Sequence, residues 1–184
     1  AGYGATTGGS RTANTIGYKT PKMKGLSANL ATALGESPTA GRRDGFNIEY
    51  ESGPVYAGIG YDRISGGSPV VDGDSLINVG LAYDFGVVRP MFYYGRAKVN
   101  NLTDTFTSLG LQAPVGPGTL RAVAYRYNPN GAGGTETKYG LGYFYPLSKR
   151  TLVYVDASLG KKANLGATSY SNRQAVDFGI RHTF

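Results

Sequence analysis

The closing stretch Arg173–Phe184, RQAVDFGIRHTF, decides how the rest of the chain is read. In a strand, successive side chains point to opposite faces. Val176, Phe178, Ile180, His182 and Phe184 then share one side, and Ala175, Asp177, Gly179, Arg181 and Thr183 the other. One side is mostly apolar and ends in an aromatic at the carboxyl terminus. The other carries an acid, a base and a hydroxyl. Such a strand suits a wall between hydrocarbon and water.

The same alternation recurs upstream. Leu26, Ala28, Leu30, Thr32 and Leu34 oppose Ser27, Asn29, Ala31 and Ala33. Ile77, Val79, Leu81, Tyr83 and Phe85 oppose Asn78, Gly80, Ala82 and Asp84. Tyr139, Leu141, Tyr143 and Tyr145 oppose Lys138, Gly140, Gly142 and Phe144. The segment from Val87 to Val99 is ambiguous because Pro90 sits inside it, where a proline demotes a strand or marks a bulge. Val88, Pro90, Phe92 and Tyr94 are assigned outward there, which turns Arg89 inward. The count is eleven strands, each near the 9 to 11 residues that a tilted membrane-crossing strand needs.

Short and long connections alternate almost throughout. Short ones fall at P-K-M-K-G, Gly53-Pro54, Gly86, V-G-P-G and P-L-S-K-R; long ones at Glu36 to Asp44, Ser65 to Asp74, N-P-N-G-A-G-G-T-E and Gly160 to Asn172. Outer-membrane barrels sort their loops this way, with short periplasmic turns and long external loops, whereas a soluble sandwich has no reason to. The fold class expected is all-β, an antiparallel transmembrane β-barrel. Phe184 then lies on the periplasmic side and the amino end outside. An odd count of eleven cannot close as hairpins into a barrel without leaving an edge in lipid, so the chain reads as the carboxyl-terminal part of a larger barrel.

Composition agrees. The chain has 29 glycines, 15 tyrosines and no cysteine or tryptophan, and charged residues make up 17% against the roughly 25% usual for globular chains. No run of about 18 apolar residues is available for a transmembrane helix. No signal peptide is legible, so a mature or truncated form is expected. The formal charge of +7 is spread along the chain, in runs of bases no longer than two such as Arg42-Arg43 and Lys161-Lys162, which argues against nucleic acid as a partner. AGYGATTGGS at Ala1–Ser10 nearly mimics a phosphate-binding loop. Ser10 and Arg11, however, stand where the lysine and hydroxyl belong, and no strand precedes them.

Several segments resemble the general porins of beta-proteobacteria. They are RTANTIGYKTPKMKGLSA from Arg11, INVGLAYDFG from Ile77, YPLSKRTLVY from Tyr145 and the terminal GIRHTF. The closing aromatic strand likewise resembles the insertion strand of outer-membrane barrels. The resemblance implies a 16-stranded trimeric barrel with a constriction loop folded into the lumen, of which this chain covers strands six to sixteen. Residues 1–184 are then one barrel domain, with Ala1–Ser10 the tail of the constriction loop. It further implies the outer membrane of a Gram-negative bacterium as location. The partners implied are lipid and lipopolysaccharide, the N-terminal strands of the same barrel, a homotrimer for the full-length protein, and small anions and hydrophilic solutes.

A porin needs aqueous width and a selecting field rather than a catalyst. By parity the lumen receives Lys19, Arg89, Arg121, Lys138, Arg150 and Arg181 against Glu49, Glu51, Asp62, Asp84, Asp156 and Asp177. These nearly cancel, so anion preference must come from placement. Arg11 comes first among the selectivity residues because it matches a constriction arginine of anion-selective relatives; Arg121 follows, then Arg181. Tyr18, Tyr83, Phe85, Tyr145 and Phe184 are expected in the aromatic girdles at the membrane interfaces. His182, the only histidine, points away from the lumen acids, against a metal site or a Ser-His-Asp arrangement. No cofactor is expected. Asn101-Leu102-Thr103 matches a glycosylation acceptor by chance, in a loop. The function expected is passive diffusion of small hydrophilic solutes with anion preference, not catalysis. An outer-membrane barrel enzyme and a soluble ligand-binding β-barrel are the alternatives.

Overall fold

The computed structural model describes residues 14–35, 39, 41–69, 71–130, 134–161 and 173–184. Its regular elements are strands: β1 (Thr15–Lys19), β2 (Leu26–Ala33), β3 (Arg42–Ser52), β4 (Val55–Ser65), β5 (Ser75–Tyr83), β6 (Arg89–Val99), β7 (Leu102–Val115), β8 (Gly118–Asn128), β9 (Glu136–Pro146), β10 (Thr151–Lys161) and β11 (Arg173–His182). They form one sheet whose hydrogen-bonded neighbours follow chain order from β1 to β11. Among the described residues no helix is long and apolar enough to cross a membrane.

Two compact units share the chain. The first holds the described residues up to Leu81 with Tyr94–Thr105, the second Ala82–Tyr93 with Phe106–Phe184. In the first, β1 to β4 pair antiparallel, with Lys19 opposite Asn29, Asn29 opposite Asn47, and Asn47 opposite Gly60. In the second, β8 to β11 do the same, with Arg121 opposite Gly142, Gly142 opposite Asp156, and Asp156 opposite Asp177. Each row keeps one chemistry per face, so the period of two written in the sequence survives across neighbouring strands.

Little of this surface is buried. Among the described residues the buried apolar side chains are Ala33 and Phe106 alone. Leu30 is 57% exposed, Leu141 53% and Phe178 82%. An apolar face with no protein against it calls for another apolar solvent. Hydrocarbon supplies one.

Two boundaries differ from the sequence reading. The connection after β6 is a tight turn of Asn100 and Asn101, both left-handed with φ of 51° and 62°. Asparagine tolerates that region, and paired left-handed residues match the strand twist. Leu102 and Thr103 therefore lie in β7 and not in a loop. β3 likewise starts at Arg42, which brings Arg42, Arg43 and Asp44 out of the expected loop and onto the sheet. Pro90, second in β6, does not interrupt it, because a proline at a strand's start forfeits only a terminal hydrogen bond. In the first unit, the Asp74 carboxylate accepts the Asn100 N–H at 2.9 Å and ties the β4–β5 connection to the asparagine turn.

Candidate functional site: the polar face of the sheet

Strand alternation gathers most of the charged side chains of each unit on one face. In the first unit Arg43 and Asp62 lie one row apart on neighbouring strands. The Arg43 guanidinium donates from Nε to Asp62 Oδ2 at 3.0 Å, and Nη2 also reaches that oxygen. Both side chains are about a quarter exposed, which strengthens the pair over a fully solvated one. Lower on the same face Lys22 meets Glu51 at 2.7 Å, and the Tyr56 hydroxyl donates to Glu49 at 3.5 Å. Asn29, Asn47, Asp62 and Asn78 line a recess of about 290 Å³. Small residues hold it open: a Cβ on Gly60 would meet the Asn78 amide at 3.1 Å.

The polar face of the second unit is arranged differently. Arg121 lies over the Phe144 ring, 4.5 Å from its centroid, a cation–π contact. Phe144 stacks on Tyr154 at 5.9 Å, and the Tyr154 hydroxyl reaches Asp177 Oδ2 at 3.4 Å. Asp156 and Asp177 are direct register partners, two like charges side by side. A Cβ on Gly142 would run into the Asp156 carboxylate, so glycine there leaves room for the acid between Arg121 and Asp177. Met91, Tyr93, Ser108, Arg121, Phe144 and Asp156 line a recess of about 470 Å³.

The residues singled out in the sequence are distributed over both units. Lys19 is exposed and pairs in register with Asn29. Arg89 opens β6 with the parity of Met91 and Tyr93. Lys138 is 3.0 Å from Glu136 on its own strand, and Arg181 stands opposite Leu152. Arg11 lies outside the described residues. The aromatics Tyr18, Tyr83, Phe85, Tyr145 and Phe184 are all exposed, with the Tyr83 and Phe85 rings 4.4 Å apart. Thr151 Oγ1 and His182 Nδ1 lie 2.9 Å apart, and His182 packs edge-on against Phe184. The structure brings Arg121 and Asp156 to one recess and leaves Lys19 and Arg181 in different units.

Sequence reasoning missed Arg43 as a wall residue. Its parity with Asn47 and Glu49 is the signal for it, masked by its place in the polar run Glu36 to Asp44. Among the described residues no group of three or more His, Cys, Asp or Glu side chains could hold a metal ion.

Comparison with known proteins adds a second line of findings. The family model described as Gram-negative porin matches residues 1–165. Outer membrane porin protein 32 of Delftia acidovorans is 30% identical over 211 residues, an alignment covering 100% of this chain and 60% of that protein. A second outer membrane porin protein, from Bordetella pertussis, is 27% identical over 174 residues, covering 74% of this chain and 45% of that protein. The solved structure of the anion-selective porin from Comamonas acidovorans superposes with a TM-score of 0.79 at 26% identity, over 94% of this chain and 60% of that one. The chain thus spans 60% or less of the lengths of these relatives.

Proposed function

The chain belongs to the Gram-negative porin family, and from that premise we propose that the whole protein is a water-filled channel for passive diffusion of small hydrophilic solutes, with a preference for anions. It is a protein of the outer membrane of a Gram-negative bacterium. The observation that carries the proposal is the two-sided sheet: exposed aliphatic and aromatic side chains on one face, and on the other Arg121, Lys138, Arg181 and the carboxylates. Hydrocarbon solvates the first face and an aqueous bore the second.

In the bore, charge placement sets which ion lingers. A cation such as Arg121, held over a ring instead of buried in a carboxylate, keeps its field available to passing anions. Arg11, Lys19, Arg89, Lys138 and Arg181 are the further candidates for this role. The aromatics Tyr18, Tyr83, Phe85, Tyr145 and Phe184 are assigned to the membrane interfaces. The anion-selective porin of Comamonas acidovorans supports the sign of the preference. The work is conduction and not catalysis; His182, engaged with Thr151 on the face away from the carboxylates, offers no base to a nucleophile on the polar face. In this reading residues 1–184 are one continuous part of a single barrel. Its remaining strands come from the same polypeptide, and the complete protein assembles as a trimer.

Reversal potentials of the complete protein in a planar bilayer under a potassium chloride gradient test the reading. Chloride should be favoured over potassium, and Arg11→Ala should weaken that preference. A cation-selective or non-conducting protein refutes the function; unchanged selectivity in Arg11→Ala removes Arg11 from the constriction.

A further inference from the structure

At the end of the sheet that bears the longer connections, the apolar face of the second unit carries two cations that have no counterion among the described residues. Arg126 in β8 and Lys161 in β10 are both register partners of one residue, Thr137 in β9. The next row on that face is Ala124, Tyr139 and Leu159, so the three polar residues sit directly above an apolar belt. Arg126 and Lys161 are exposed, and among the described residues neither makes a hydrogen bond or an ion pair. The neighbouring acid Glu136 has the opposite parity and is held by Lys138. The first unit differs at its corresponding end: Arg63 is the register partner of Asp44, whose carboxylate receives Thr32 Oγ1 at 2.7 Å and Arg42 Nε at 2.9 Å. There the positive charge is partly answered. In the second unit it is not.

We propose that Arg126, Thr137 and Lys161 bind a phosphate monoester of lipid A, the membrane anchor of lipopolysaccharide, with its acyl chains against Tyr139 and Leu159. Arg126 and Lys161 are two strand spacings apart, about 9.5 Å, so side chains of their length converge on one phosphate above the threonine hydroxyl. Two cations match the near double charge of a monoester, whereas a phospholipid diester carries one charge. The guanidinium fork supplies paired donors, and the ammonium a point charge. Longer connections mark the external side, where lipopolysaccharide forms the outer leaflet. The proposal rests on the outer-membrane assignment and is independent of ion selectivity.

The test is native mass spectrometry of the complete protein in detergent, titrated separately with diphosphorylated lipid A, dephosphorylated lipid A and phosphatidylglycerol. For the unaltered protein, diphosphorylated lipid A should bind at least tenfold more tightly than either of the other two. Arg126→Gln with Lys161→Gln should remove that advantage, Thr137→Val should reduce it, and Arg126→Lys should retain most of it. Equal binding of phosphatidylglycerol and lipid A by the unaltered protein overturns the proposal, and that comparison does not depend on any variant folding. Undiminished lipid A binding by the double variant overturns it as well. Conductance recorded on the same preparations should be unaffected by these outward substitutions, so a failed channel and a failed lipid site give different results.

Discussion

The two units share one strand architecture and treat their polar faces in opposite ways. In the first, Arg43 is satisfied by Asp62 and Lys22 by Glu51, so charge is consumed in holding neighbouring strands together. In the second, Arg121 rests on an aromatic ring while Asp156 and Asp177 stand side by side one and two strands beyond Gly142. Opposite charges in contact cancel at a distance; separated ones leave a field in the water beside that face. The lesson is that a count of charges says little about a passage. Which of them touch decides it.

Substitutions that exchange these behaviours test the contrast. The largest effect is expected from Arg121→Glu, which changes the local charge by two units in a row already holding two acids. At ~8 Å in water each unit is worth about 0.5 kcal/mol to a passing ion, so chloride loses and potassium gains about 1 kcal/mol, and the chloride-to-potassium permeability ratio should fall about thirtyfold, read from reversal potentials. Arg43→Ala should act on stability instead, because it strands the part-buried Asp62. A loss of about 1–2 kcal/mol in a denaturant titration of the folded barrel, with selectivity little changed, is the expected outcome. A selectivity shift as large as that of Arg121→Glu would erase the distinction between the units.

Smaller effects follow from the remaining pairs. Asp177→Asn relieves a like-charge register pair and should stabilise the second unit by up to about 1 kcal/mol while raising anion preference slightly. Lys22→Ala breaks an ion pair whose two side chains are half or more exposed, and should change stability by no more than about 0.5 kcal/mol. A loss above that in the same titration would show that Lys22 braces the short turn beside it by more than charge.

The faces of most strands were legible without coordinates. Alternation in Leu26–Leu34, Tyr139–Tyr145 and Arg173–Phe184 assigned each side chain to a face, since a period of two follows from strand geometry alone. Pro90 obscured β6, because a proline inside an alternating run reads as a break, whereas at the second position of the strand it costs only a terminal hydrogen bond. The Asn100-Asn101 turn was passed over because no Asn-Gly or Asp-Gly pair announced it; two asparagines reach the same left-handed geometry at greater cost. Arg43 is illegible as a wall residue because Arg42, Arg43 and Asp44 continue a polar run and carry no apolar alternation to mark the start of β3.

By itself, then, the sequence determined an antiparallel sheet with one apolar and one charged side, and the residues belonging to each, because strand parity is local. Tertiary structure alone decided the contacts across strands: Arg43 on Asp62, Arg121 on Phe144, Asp156 beside Asp177, and Arg126 with Lys161 about Thr137. Those depend on register, and register depends on how many residues each turn consumes. A shift of two residues would preserve every face and change every partner.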